Sequence, residues 1–468
     1  MTKRLPLLSL LSGLLLSVSL HVYGLDTQAI RLAAPKGSNL SLTFGGTGQV
    51  TVDWGNGAQT YRVGTVTGTT SSDTIVVTFP ARVTTFDCSG QGVTWIDGSK
   101  APELLVLNCS CNKLKALSVG RMKALEELNC SDNELTELSL TSNTALRYLD
   151  CSDNQLESLS LSRNTELQVL GCSRNKLPSL TLNGNKNLRG VWVDDNIIIG
   201  TLSMPGHSKL SSVNVSNNSM ERLTINPTED LKDLWADNNQ LTTLNLGTAT
   251  DMKTINLSNN RLMSLTLASV AGLDVLMADF SNNMLGLQYF YPADKVKNYV
   301  CGLQAPVDFG MDTVLVDHMV DFSEFIKNSG GSKVGTITLF DATTNTELVK
   351  GSNADTGDYL ILSGRVRFWH PKESVYAVVT STKYPGLEIH SNNFVVYDPD
   401  ATGIHGLSAD GPSIVADKGF LTFRSSQPAD VRVVALDGRT VWSGRTTGTT
   451  VSLPKGIYLV NNRKVQVK

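Results

Sequence analysis

Between residues 83 and about 285 the chain repeats itself every 21 residues. From Leu125 it reads LEELNCSDNELTELSLTSNTA, and from Leu146 it reads LRYLDCSDNQLESLSLSRNTE. Copies begin at Val83, Leu104, Leu125, Leu146, Leu167, Leu188, Leu210, Leu231, Met252 and Leu273, with a single step of 22 residues between Leu188 and Leu210. One copy is too short to bury its own apolar side chains. The copies must therefore stack on one another, and the stack excludes most other folds.

The frame is L-x-x-L-x-(C/V)-S-x-N-x-L-x-x-L-x-L, the signature of a leucine-rich repeat. Its fourth to sixth residues, Leu128-Asn129-Cys130 in the third copy, read as a short strand whose alternate side chains face opposite ways. Leu128 and Cys130 then point into the core, and Asn129 points to the concave face. The ninth residue forms a ladder of Asn112, Asn133, Asn154, Asn175, Asn196, Asn218, Asn239 and Asn260. An amide there offers two donors and an acceptor to turn backbone that no strand can pair. Gln91 takes this place in the first copy, and the last copy is stretched near Asn282 and Asn283. Copies of 21 residues leave little room for a helix, so the convex side is predicted to be extended or 3₁₀. The fold class is mainly β: a solenoid over residues 83–286.

Cys88, Cys109, Cys130, Cys151 and Cys172 hold the sixth place of successive copies, and Val193, Val215, Ala236, Leu257 and Ala278 continue the column. The small apolar successors mark it as core, where a thiol behaves as a small hydrophobe. Stacked strands lie ~4.8 Å apart, whereas bridged Cβ atoms lie ~3.8 Å apart, which argues against disulfides between neighbours. The valines argue against a metal column. Cys111 and Cys301 fall off the column. This cysteine ladder, with N-C-S-D-N or D-C-S-D-N inside each copy, resembles the internalin J-type leucine-rich-repeat surface proteins. The resemblance implies a surface adhesin. The chain departs from that family in having no LPxTG-type anchoring signal.

The rest divides by composition. Residues 1–24 read as a signal peptide, with Lys3 and Arg4 before an apolar run and Val22-Tyr23-Gly24 at its end. Residues 25–82 alternate as strands do, with Asn56-Gly57 as a hairpin turn, and read as a β cap on the first copy. Trp54 is expected in its core. Residues 287–398 break the period with strand runs such as VGTITLFD and YLILSGRVRFW, spaced as in an immunoglobulin-like sandwich. Residues 399–407 read as a linker. Residues 408–468 end in VRVVALDGRTVWSG, LPKGIYLV and KVQVK, and resemble the C-terminal sorting domain of type IX secretion substrates. That resemblance implies a small β-sandwich recognised by secretion machinery in the outer membrane. It implies removal by a sortase-like peptidase, and attachment of the mature protein to lipopolysaccharide on a Gram-negative surface. It carries Asp437, Gly438, Gly456, Tyr458 and Lys468 as sorting residues.

Net charge is −3 with 18% charged residues, which gives no electrostatic case for nucleic acid. Motifs for metalloprotease, serine hydrolase, phosphate-loop or dinucleotide chemistry are missing, and the six histidines are scattered. The reading is a non-enzyme without cofactor or metal. Asp132 and Asp153 recur with the period and read as turn residues. Most concave positions are small or polar. The exceptions are Tyr148, Trp192 and Trp235, an expected exposed aromatic track flanked by Asp150, Asp194, Asp233 and Asp237. Trp192 and Trp235 share one strand position two copies apart, ~10 Å. Tyr148, Trp192, Trp235, Asp150 and Asp233 are the candidate ligand-binding residues. The function expected is adhesion, cell–cell contact or biofilm formation through a protein or glycan on a host or bacterial surface. The alternative is glycan or peptide capture for nutrition or a partner enzyme.

Overall fold

The computed structural model describes residues 27–225, 229–268, 274–291, 293–328, 331–384, 386–398, 413–417, 420–435, 438–454, 456–460 and 463–467. The expected signal peptide, the whole linker, Asp437 and Lys468 lie outside these. The chain divides into two compact units, Met1–Leu167 and Gln168–Lys468. Among the described residues there is no α-helix.

In the first unit, Val83–Asp87, Val106–Asn108, Glu127–Asn129 and Tyr148–Asp150 pair in parallel, one strand per copy. Leu107, Leu128 and Leu149 are fully buried, as are the cysteines two residues on. The cap joins this stack by antiparallel pairing of Asn39–Asp53 with Val83–Asp87, through Phe44 opposite Phe86. The hairpin at Asn56-Gly57 forms. Asp53 accepts the Gly55 and Gly57 N–H groups at 2.8 and 3.1 Å. Trp54 is core, lying against Gly68, where a Cβ would sit 2.3 Å from the indole.

The second unit continues the pattern through Val169–Gly171, Gly190–Trp192, Ser212–Asn214, Asp233–Trp235, Thr254–Asn256 and Val275–Asp279, again parallel. The expected convex side holds extended pairs, Ile199–Met204 with Ser219–Ile225 and Thr243–Leu246 with Ser264–Leu267.

Two sequence expectations fail at this end. Thr254 faces Met277, so the tenth copy begins at Val275 and not Leu273; Phe280 fills the sixth place assigned to Ala278, and Asn283 is the ladder residue. Nor does the solenoid stop at residue 286. Val296–Val300 pairs in parallel with Val275–Asp279, Cys301 follows Phe280 in the sixth place, and Gln304 replaces the ladder asparagine. Cys301 is therefore buried in the column rather than off it. An aromatic and a glutamine at the end of the stack hid the periodicity.

The ladder works as a donor-acceptor clamp. Asn239 Nδ2 donates to the carbonyls of Val215, Ala236 and Asp237 at 3.0, 3.3 and 3.3 Å, while its Oδ1 accepts the Met220 N–H at 3.0 Å. One residue earlier in each copy the backbone turns left-handed, at Cys111, Asp132, Asp153, Arg174, Asp195, Asn217, Asn238, Asn259 and Asn282. Asp132 and Asp153 are thus turn residues. Asn and Asp tolerate that conformation better than most side chains.

A second amide ladder escaped the sequence reading. In the first unit, Asn143 Nδ2 donates to Val119 and Met122 carbonyls, and Asn164 Nδ2 to those of Leu140 and Asn143. In the second unit His207 stands where the period would bring the next ladder residue after Asn185. It is fully buried, with Nε2 3.1 Å from the Leu182 carbonyl and Nδ1 3.2 Å from that of Pro205. Burial, then the nearby Lys186 ammonium, lower its pKa from the ordinary 6.5. The fold therefore favours the neutral ring. That stabilisation is complete above pH 6.5 and is lost as pH falls below it. The melting temperature should fall between pH 7.5 and 5.5, and His207→Asn should flatten that fall; equal slopes in both proteins would refute the assignment.

Residues from Leu303 to Tyr397 form a seven-stranded and a three-stranded sheet. Leu303–Val307 leaves the last solenoid turn and pairs in parallel with Glu388–Ser391. The joint is packed by Phe280, Phe290, Tyr299 and Tyr384, and Tyr384 donates to the Tyr291 carbonyl at 2.8 Å. Five antiparallel strands from Ser413 to Val467 follow, with Leu421, Phe423, Val431, Val433, Tyr458 and Val460 as their core. Gly438, at φ 87°, sits in the turn before Thr440–Ser452. Gly456 pairs with Val467. Tyr458 is buried and donates to the Pro454 carbonyl at 2.9 Å.

Candidate functional site

The concave side of each turn presents its third, fifth and seventh residues. Fifth and seventh are coupled. Where the fifth is Asn or Asp, the seventh is Ser, and its N–H or hydroxyl donates to the fifth residue's Oδ1: Ser110 to Asn108, Ser131 to Asn129, Ser258 to Asn256 and Ser281 to Asp279. Where the fifth is Trp, the indole offers no acceptor, and the seventh is Asp. Asp194 then accepts the Ser173 hydroxyl of the previous turn at 2.5 Å, and Asp237 accepts that of Ser216 at 2.6 Å. Both turns read Trp-x-Asp, so this coupling was visible in the sequence and was missed. Burial raises the Asp194 pKa, opposed by the Ser173 hydrogen bond and by Arg174 at 3.9 Å.

The candidate residues fall into both units. In the first, Tyr148 is half-buried; burial, then the charges of Asp150 and Glu127, push its phenol up. Asp150 is only 6% exposed and accepts the Ser152 N–H at 3.0 Å. In the second, Trp192, Asn214 and Trp235 occupy one register row on three neighbouring strands. Asp233 lies in the row of Gly190 and Ser212. It and Trp235 are half-buried.

Trp192 is 9% exposed, which corrects the expectation of an open indole. Gly190 has no side chain, so the ring lies down across it; a Cβ there would meet Cζ3 at 2.4 Å. Removing Trp192 must therefore cost stability as well as surface.

Four turns of the second unit carry a cation at their second place, while Ser211 and Leu276 hold it in two others. Arg189, Lys232 and Lys297 are exposed and Lys253 is half-buried. Lys253 and Lys297 share Asp274 at 3.9 and 3.4 Å. The indoles thus lie between cations at strand entry and carboxylates at strand exit. Among the described residues no cluster of His, Cys, Asp and Glu is arranged to hold a metal ion, and no helix is long and apolar enough to cross a membrane.

No protein-family model matches the chain, and no curated protein matches it. Similar solved structures include the cysteine-ladder domain of internalin J from Listeria monocytogenes, at 16% identity and TM-score 0.38, covering 70% of this chain and 93% of that one. A leucine-rich-repeat protein of Leptospira interrogans is 21% identical at TM-score 0.36, covering 41% of this chain and 52% of that one. Another Listeria monocytogenes internalin is 18% identical at TM-score 0.34, covering 45% and 78%. The leucine-rich-repeat fold itself rests on the chain's own parallel registers and asparagine ladder.

Proposed function

We propose that this is a non-enzymatic surface protein that binds a partner through the concave strands of its leucine-rich repeats, for adhesion, cell–cell contact or biofilm formation. The observation that carries this reading is the row Trp192, Asn214, Trp235, with Arg189 and Lys232 three residues before the two indoles and Asp194 and Asp237 two residues after them. Aromatic residues with a polar rim are what binding hot spots use. Asp233, one register row away on the same unit, belongs to the proposal as a rim residue, and Tyr148 and Asp150 are proposed as a separate contact on the first unit. The ligand is a protein or glycan of a host or bacterial surface.

Trp235→Ala should weaken attachment of cells displaying the protein by about 2 kcal/mol, roughly thirtyfold in affinity. Trp192→Ala should also lower stability, so Trp235 gives the cleaner readout. Unchanged attachment with Trp235→Ala would move the site elsewhere. The second reading is capture of a glycan or peptide for nutrition; impaired growth of null cells on one polymer, with normal attachment, would favour it.

The C-terminal motifs support secretion across the outer membrane, cleavage by a sortase-like peptidase and lipopolysaccharide attachment. Mass spectrometry of surface-released protein should then find no peptides beyond about residue 408 in the mature form. Abundant peptides reaching Arg463–Val467 would contradict this.

A further inference from the structure

The sheet formed by the C-terminal strands is apolar on both faces. Side chains alternate along a strand. In Gly456–Val460, Tyr458 and Val460 enter that sheet's own core while Leu459 points the other way; in Phe420–Ala435, Val431 and Val433 enter the core and Val434 does not. An antiparallel sheet that stands alone commonly keeps its second face polar. Here Val434 and Leu459 are buried against Leu315, with Tyr397 alongside.

Polar contacts ring this apolar centre. Thr440 donates its hydroxyl to Asp312 at 2.5 Å and accepts from Arg432 Nε at 3.1 Å. Arg432 pairs with the same Asp312 carboxylate. Gly438 comes so close that a Cβ would lie 2.7 Å from the Thr313 carbonyl oxygen, and its φ of 87° also calls for glycine. Leu315, Thr313 and Asp312 belong to or adjoin the strand Thr313–Leu315, which pairs in parallel with Phe394–Tyr397.

We propose that the edge formed by Thr313–Leu315 and Phe394–Tyr397 is a receptor face for residues 413–467, and that cutting the chain between 399 and 412 leaves the C-terminal piece seated there. Cutting and release are then two events. Hydrolysis breaks one peptide bond with one water, and the piece leaves only when Leu459 and Val434 come off Leu315. Nothing in this depends on what the concave face binds.

The test places a site for a specific protease within 399–412 of the full chain, cuts it, and runs gel filtration at about 10 µM, where contacts weaker than micromolar come apart. Both pieces should elute together. Leu459→Asp should separate them, because Leu459 faces away from the C-terminal core; circular dichroism of the released piece checks that it stays folded. Asp312→Arg, which leaves that piece untouched, should cut the retained fraction about tenfold, and adding Arg432→Asp should restore it. Separation of the unsubstituted pieces would overturn the proposal. Joint elution despite both Leu459→Asp and Asp312→Arg would overturn the assigned face.

Discussion

A chain ending at residue 286 should aggregate or melt well below one ending at residue 398. It would retain Val275–Asp279 but lose Val296–Val300, whose Val300 carbonyl accepts the Phe280 N–H at 2.9 Å. Gln304, which accepts the Leu285 N–H at 3.1 Å and donates to the Phe280 carbonyl at 2.9 Å, would go too. Phe280 and Leu285, both fully buried, would meet water. Exposing two such side chains costs roughly 4 kcal/mol, and the bared strand edge invites pairing with another chain. A monomeric 25–286 fragment with an unchanged melting point would show that the eleventh turn is dispensable.

Asn239→Asp is the second large effect. The substitution keeps shape and exchanges the donating amide for a carboxylate. An anionic oxygen would then face the carbonyls of Val215 and Ala236 at about the present 3.0 and 3.3 Å. The site is 8% exposed, so water cannot relieve it. A buried hydrogen bond replaced by an unpaired charge costs about 3 kcal/mol. Urea unfolding should show that loss, whereas Asn259→Asp, at an exposed left-handed position, should stay within about 0.5 kcal/mol. Similar losses for both would mean that the ladder's donors contribute little.

These results turn on positions that were unequally legible in the sequence. The repeat, its strand residues, the first asparagine ladder and the buried cysteines were legible because stacking forces every copy to solve the same problem with the same residue types. Trp54 and the Asn56-Gly57 hairpin were legible for local reasons, an apolar side chain beside a turn that needs glycine. The second ladder of Asn143 and Asn164 was present in the same 21-residue frame but reads as ordinary loop polarity until its carbonyl partners are known.

What only the tertiary structure decided lies where the period meets something else. Phe280, Cys301 and Gln304 continue the stack with altered residues because the next layer is an aromatic joint and not another copy. Trp192 lies flat because Gly190, on the same strand, leaves the space, and no pattern of single positions states how a ring will lean. Leu459 is apolar on the outer face of its sheet because Leu315, well over a hundred residues earlier, covers it. The sequence by itself determined the contacts that repeat, since local pattern and global packing coincide there. Contacts made once, between segments distant in the chain, leave no periodic trace, and only the folded molecule reveals them.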